Sequence, residues 1–203
     1  QKRQFYKINK DLKNEFDFQD TFISKINNKD TLKQYIEYLQ PLQSFKENIQ
    51  AKNLDFENEE MLQKYFYRFW HDRDPFNTEQ SWKNYHSLVK LVNKEFKNGI
   101  IDGYLSDRGR IYLSYGSPNS RSQEIMPKSF QPFEVWHYYS IGDERDIKFI
   151  FSNDRMPNEY RLVYTNKFGE INDKDWLNRF EENYYDDFDE GKKSPIDYYN
   201  NPN

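Results

Sequence analysis

Apolar residues recur every three to four positions over the first half of the chain and every two over much of the second, which predicts helices followed by strands. Leu32, Tyr35, Ile36 and Leu39 share one helical face after Asp30, a residue suited to an N-cap, and Pro41 interrupts the run. Leu42, Phe45 and Ile49 continue a similar rhythm, as a second short helix or the far arm of a kinked one. Leu62, Tyr65, Phe66, Phe69 and Trp70 form the next stripe, with Asp55 or Asn58 as cap and acidic residues in the first turn, where the helix dipole favours them. That helix is expected to end at His71-Asp72-Arg73-Asp74-Pro75, because a proline biases the residue before it away from helical geometry. Thr78 is then expected to cap a stripe of Trp82, Tyr85, Val89, Val92 and Phe96, with Gly99 as its stop.

Beyond Gly99, four segments read as strands: Arg110–Tyr115, Phe133–Tyr139, Ile147–Phe151 and Glu159–Tyr164. No helical pattern intervenes, so the sheet they predict is antiparallel. Phe133, Val135, His137 and Tyr139 alternate with Glu134, Trp136 and Tyr138, and both sets suit a sheet buried on one side and covered by helices on the other. Ser117–Gln131 is the longest connection, expected to be exposed and mobile. Asn172 or Asp173 caps a short helix carrying Trp176, Leu177 and Phe180, and residues 181–190 hold six acids. The expected architecture is therefore α+β, with N-terminal helices packed on a small antiparallel sheet, a short C-terminal helix and an extended acidic tail. In ranges, an irregular or extended entry segment at 1–29 precedes one domain at 30–180, with helices about 31–98, sheet about 110–165 and helix about 173–182. An acidic aromatic tail occupies 183–203.

Composition narrows this picture. Aromatics make up 19% of the 203 residues against 35% hydrophobic in all, so the core must be built largely from Phe, Tyr and Trp. A net charge of −4 supplies no global attraction for nucleic acid. The absence of cysteine removes disulfides, thiolate chemistry and cysteine-based zinc sites. No run approaches the length of a membrane span, and the opening residues do not read as a secretory signal. A chain that starts on Gln1 is expected to be processed or excised, which leaves open a removed signal peptide, a lost lipid-bearing N-terminus or an upstream domain.

Candidate chemistry is sparse. In GYLSDRGRIYLSYGSP, Gly103–Pro118, the glycines precede and follow a predicted strand and no Lys-Ser/Thr follows them, unlike a phosphate loop. Gly103 and Gly109 are expected to permit positive φ near that strand, while Asp107, Arg108 and Arg110 form a charged latch. His71, Asp72 and Asp74 invite a metal or acid/base reading, but a second histidine is not nearby in sequence. Asp72 or Asp74 is instead expected to cap, and to pair with Arg73, Arg108 or Arg110. No Gly-x-Ser-x-Gly elbow is present. No catalytic residue, metal ligand or cofactor is assigned.

FWHDRDPFNT (Phe69–Thr78), GYLSDRGRIYLSYGSP, FEVWHYY (Phe133–Tyr139), FIFSND (Phe149–Asp154) and EYRLVYTN (Glu159–Asn166) occur in this order. Together they resemble the landmarks of bacterial GWxTD-domain proteins, over roughly residues 30–166. The family's run is a Phe-Trp-x-x-Arg-Asp-Pro helix end, then Gly-Trp-x-Thr-Asp-Arg-Gly-Arg and a Tyr-Gly-x-Pro turn. Tyr104 stands for its tryptophan and Ser106 for its threonine, while Gly103, Asp107, Arg108, Gly109, Arg110, Gly116 and Pro118 match. The resemblance implies a component of exported or envelope-associated bacterial proteins and transfers no catalytic residue. Its matched charges, Arg73, Asp74, Asp107, Arg108 and Arg110, read as a structural latch between helices and sheet. Tyr184, Tyr185, Phe188, Tyr198 and Tyr199 in the tail are candidate interaction residues. The expected function is a non-catalytic interaction module of an envelope complex at the periplasmic face of the outer membrane, with other envelope proteins as partners, no nucleic acid and no transmembrane segment. The alternative is an envelope enzyme or glycan binder using His71, Asp74 and Arg108 beside the 117–131 loop.

Overall fold

The structure, a computed structural model, describes residues 18, 20–99, 101–124, 132–153, 159–173, 175–176 and 195–202. Among the described residues, six α-helices and a four-stranded antiparallel sheet make it α+β. The chain falls into two compact units, Gln1–Leu91 and Val92–Asn203, whose boundary lies within the fourth helix.

In the first unit, α1 (Lys29–Tyr38) starts one residue before the expected Asp30 cap. Asn28 caps it, its side-chain oxygen accepting from the Thr31 amide. Pro41 sits in a 3-10 turn at Gln40–Leu42, and α2 (Phe45–Lys52) follows as a separate helix. Its N-terminus is a capping box: Ser44 accepts from the Glu47 amide and Glu47 accepts from the Ser44 amide. Asn58 caps α3 (Glu59–His71), and α4 runs Thr78–Phe96. The core is aromatic, as the composition requires. Tyr35 lies tilted and Phe66 edge-on against Trp82, with centroids 4.6 and 4.8 Å away, and Trp70 lies 5.3 Å from Tyr85. The buried Tyr85 hydroxyl donates to the Tyr38 carbonyl at 2.6 Å, which satisfies its polar tip.

In the second unit the first predicted strand is a helix. Residues expected as a strand at 110–115 belong to α5 (Asp107–Tyr115), capped by Ser106, whose hydroxyl accepts from the Gly109 amide at 3.0 Å. Gly103 and Gly109 do not adopt positive φ; a Cβ on Gly109 would lie 1.9 Å from the Gly103 carbonyl oxygen, and one on Gly103 would lie 2.2 Å from that of Val92. Close backbone approach is their reason for being glycine. Gly116, at φ 81°, does take the positive-φ role where α5 ends.

The sheet begins at residue 120 rather than 110. β1 (Ser120–Glu124) lies inside the connection expected to be a loop, and residues 125–131 of that connection fall outside the described residues. A strand as polar as SRSQE has no apolar alternation to announce it. It joins as an edge, pairing Ser122 with Val135. β2 (Phe133–Ile141), β3 (Glu144–Ser152) and β4 (Arg161–Thr165) complete the order β1-β2-β3-β4. A bulge at Val163 shifts the β3–β4 register, so that Phe151 pairs with Leu162 and Ile150 with Tyr164.

Both sheet faces are buried. Trp136 and Phe151 pack with centroids 4.8 Å apart, with Phe96 of α4 and Tyr112 of α5 against Trp136. On the other face, Phe133, Val135, Ile150, Val163 and Trp176 form a second cluster. Of the segment expected as tail, residues 195–200 form α6 (Pro195–Asn200), whose Ile196, Tyr198 and Tyr199 pack on this cluster. Tyr184, Tyr185 and Phe188, with residues 177–182 of the expected short helix, fall outside the described residues.

Candidate functional site

Two charged constellations hold the family landmarks, one in each unit. In the first, the chain leaves α3 at His71 and turns through Asp72–Asn77 into α4. Asp74 organises the turn: its Oδ1 accepts from the Asn77 amide at 3.0 Å, its Oδ2 from the Ser81 hydroxyl at 3.1 Å, and its carbonyl from the Thr78 hydroxyl at 3.0 Å. Thr78 is thus the first helical residue rather than the cap. His71 stacks on Tyr67, with centroids 5.6 Å apart, and its Nδ1 lies 4.0 Å from Asp72 Oδ1.

Arg73 meets Glu47 rather than an aspartate. Its Nη1 and Nη2 donate to the two Glu47 oxygens at 2.8 and 3.1 Å, and also to the carbonyls of Phe69 and Leu42. The guanidinium lies 3.5 Å above the Phe69 ring, a geometry that needs arginine's plane. Burial pushes the Glu47 carboxyl up. Arg73's hydrogen bond, those from the Ser44 amide and hydroxyl, and the guanidinium charge outweigh it and bring the group from 4.5 down to about 2. A folded pKa below the unfolded one means that this stabilisation is complete above about pH 4.5 and is lost as pH falls toward about 2. Glu47→Gln is expected to cost about 1–2 kcal/mol at pH 7, after screening at a carboxylate one quarter exposed, and to flatten the acid limb. Urea unfolding midpoints between pH 7 and pH 3 measure both effects; equal slopes in parent and variant would refute the assignment.

In the second unit, α5 presents Asp107, Arg108 and Arg110 to the sheet and its flanking loop. Asp107 accepts from the Leu162 amide of edge strand β4 at 2.7 Å. Arg110 pairs with Glu170 at 2.9 Å, and the Tyr115 hydroxyl donates to the same carboxylate at 2.9 Å. Burial, then that carboxylate, holds the Tyr115 hydroxyl above its ordinary range.

Arg108 reaches Glu134 of β2, which is only 2% exposed. Glu134 accepts from Arg108 Nη1 at 2.9 Å, from Arg121 Nε and Nη2 at 3.2 and 3.1 Å, and from the Trp136 indole at 3.0 Å. Arg121 carries on to Glu95 at 2.7 Å. The Arg108 guanidinium lies 4.3 Å from the Tyr160 ring centre and 5.1 Å from that of Phe96. One buried carboxylate thus gathers two arginines from a helix and an edge strand, compensated as a buried charge must be.

Glu47, Glu134, Glu170 and Arg121 were absent from the residues singled out in the sequence. Glu134 alone had a readable signal. Period-two alternation places it beside Trp136 and Tyr138 on an apolar face, where a carboxylate demands a cation. Glu47 and Glu170 lie 26 and 60 residues from their arginines, and nothing local marks them.

A third cluster lies under α6. His137 Nε2 is 2.8 Å from Asp146 Oδ1, and the buried Lys148 ammonium is 3.3 Å from the same oxygen and 4.8 Å from the Tyr199 ring centre. Among the described residues, no group of three or more His, Asp or Glu is arranged to hold a metal, and no helix is long and apolar enough to cross a membrane.

These features define an α+β protein whose motif charges fasten a turn between two helices and a helix onto a sheet. The chain belongs to the GWxTD domain family, which matches residues 4–182, a longer stretch than the 30–166 carrying the recognisable motifs. Neither a curated protein nor a solved structure matches it.

Proposed function

We propose that this chain is a non-catalytic protein-interaction module of a bacterial cell-envelope complex, working at the periplasmic face of the outer membrane alongside other envelope proteins. The observation that carries the reading is Phe76. It is 95% exposed inside the family motif FWHDRDPFNT, on a turn held before it by the Arg73–Glu47 pair and closed past it by the Asn77 amide donating to Asp74. A large apolar side chain on a pre-organised turn loses little entropy on docking and makes an efficient anchor. Phe45, two residues from Glu47 of the Arg73 pair, is 85% exposed. Asp74 is engaged by its own turn and Arg108 by Glu134, which supports a structural role for both over the alternative enzyme or glycan-binding reading.

Gentle extraction from native membranes tests the proposal. The parent is expected to migrate in a defined complex, and Phe76→Ala with Phe45→Ala to leave that complex while keeping the parent's thermal midpoint. A parent that runs as a free monomer would sink the reading, as would a variant that stays fully assembled.

A further inference from the structure

We infer that Asn98–Gly99 is a self-modifying site, at which the chain converts Asn98 to isoaspartate or aspartate and so loosens the joint between α4 and the 3-10 turn at Gly103–Leu105. The inference stands on the second unit alone and does not depend on the envelope reading. The reaction needs neither partner nor cofactor. The Gly99 amide nitrogen attacks Cγ of Asn98; the N–Cγ bond forms, the Cγ–Nδ2 bond breaks, and Nδ2 leaves as ammonia with the Gly99 amide proton. Water then opens the imide. Cleavage at Cγ gives aspartate, and cleavage at the main-chain carbonyl gives isoaspartate, whose main chain runs through the former side chain.

Local structure favours the first step. α4 ends at Phe96, and the Asn98 amide, donating to the Ile101 carbonyl at 3.4 Å, has left the helical ladder. Gly99 is exposed at φ 90°, and apart from its chain neighbours no atom lies within 4 Å of the place a Cβ would occupy. Its peptide therefore has room to turn toward the Asn98 side chain. The Ile101 amide already donates to Asn98 Oδ1 at 2.8 Å. That oxygen carries the negative charge of the tetrahedral intermediate, and a donor in place before the reaction stabilises it.

Nearby, Asp102–Gly103 offers a related chemistry in opposite surroundings, since an aspartate before glycine closes the same imide with loss of water. Gly103 is buried in its 3-10 turn, a Cβ on it would lie 2.2 Å from the Val92 carbonyl oxygen, and the Tyr104 amide is held by Asn93 Oδ1 at 2.9 Å. That peptide turns only when the joint opens. The product at residue 98 acts on the same joint. Isoaspartate adds a methylene to the main chain between Phe96, 2% exposed and packed on Trp136, and the Gly103 seat, which has no slack. Its carboxylate arrives at the C-terminal end of α4, where the helix dipole disfavours an anion, next to Lys97, the partner of Asp102 at 2.8 Å.

Ageing the full chain at mildly alkaline pH, native and in guanidinium, tests the inference by peptide mapping. Conversion at Asn98 is read from ammonia release and the mass gained when an amide becomes a carboxylate. Isomerisation at Asp102 leaves the mass unchanged and is read by isoaspartyl methyltransferase labelling. The native rate at Asn98 is expected to stay within about twofold of its denatured rate, while the native rate at Asp102 falls at least about tenfold below its own. The aged parent should unfold at a lower temperature than the fresh protein. Asn98→Gln, which closes the ring far less readily, should keep its fresh midpoint through the same incubation. Native protection of Asn98 as strong as that of Asp102 would overturn the inference. So would an aged parent that has converted at Asn98 yet keeps its midpoint, or an Asn98→Gln chain that loses stability as fast as the parent.

Discussion

Replacing Glu134 by Ala is expected to lower the unfolding free energy by about 3–5 kcal/mol, because it leaves Arg108 and Arg121 without the carboxylate that compensates them. Arg108 bears most of the loss. Its side chain is only 12% exposed, whereas Arg121 is 32% exposed and keeps Glu95. The buried Trp136 indole loses its acceptor as well. A companion variant separates the cost of an orphaned charge from the cost of lost volume. Glu134→Gln retains the shape and one acceptor, and should cost less than the alanine but still more than about 1 kcal/mol. Removing all three charges together, as Glu134→Leu, Arg108→Met and Arg121→Met, is expected to recover most of the stability, since well-packed apolar groups often replace a buried ion cluster at little cost. Denaturant titration of the series measures each step. A triple variant no better than Glu134→Ala would show that the network matters for its hydrogen-bond geometry rather than for charge compensation.

Gly109→Ala should destabilise by about 3 kcal/mol or more, and the sign is the informative part. In an exposed helix interior this substitution stabilises by about 1 kcal/mol, because alanine is the better helix former. Here the new Cβ would sit 1.9 Å from the Gly103 carbonyl oxygen and 2.8 Å from Val92 Cγ1. The first obstacle is backbone and cannot rotate away, so α5 would have to lift from the 3-10 turn at Gly103–Leu105. Lifting α5 would also disturb the helix that carries Asp107, Arg108 and Arg110. A thermal midpoint equal to or above the parent's would refute the close packing.

The same two glycines mark where the chain's local pattern stops being decisive. Helical periodicity at Leu62–Trp70 and Trp82–Phe96, and alternation at Phe133–Tyr139 and Ile147–Phe151, were legible because each stripe is long enough to exclude the other period. The aromatic core was legible for a similar reason, since few aliphatic residues compete for the interior. DRGRIYLSY is shorter, and its Ile111 and Leu113 stand two apart, as they would on a strand. The Ser106 cap favours a helix, while a glycine at 109 argues against one. Packing of Gly109 on Gly103 settles the conflict, and that contact spans a turn no local rule weighs.

The charged site divides along the same line. That the motif singles out Arg73, Asp74, Asp107, Arg108 and Arg110 was readable from the sequence, and each has a hydrogen-bond or ion-pair partner within its own unit. Which groups they engage was not. Asp74 turned to its own amides and hydroxyls, Asp107 to an edge-strand amide, and the arginines to Glu47, Glu134 and Glu170. Order along the chain specifies which side chains need a partner, because burial of a guanidinium or carboxylate is costly wherever it occurs. Choosing among 34 acidic residues requires knowing which ones the fold brings within about 3 Å, and that proximity exists only once helix, turn and sheet have packed.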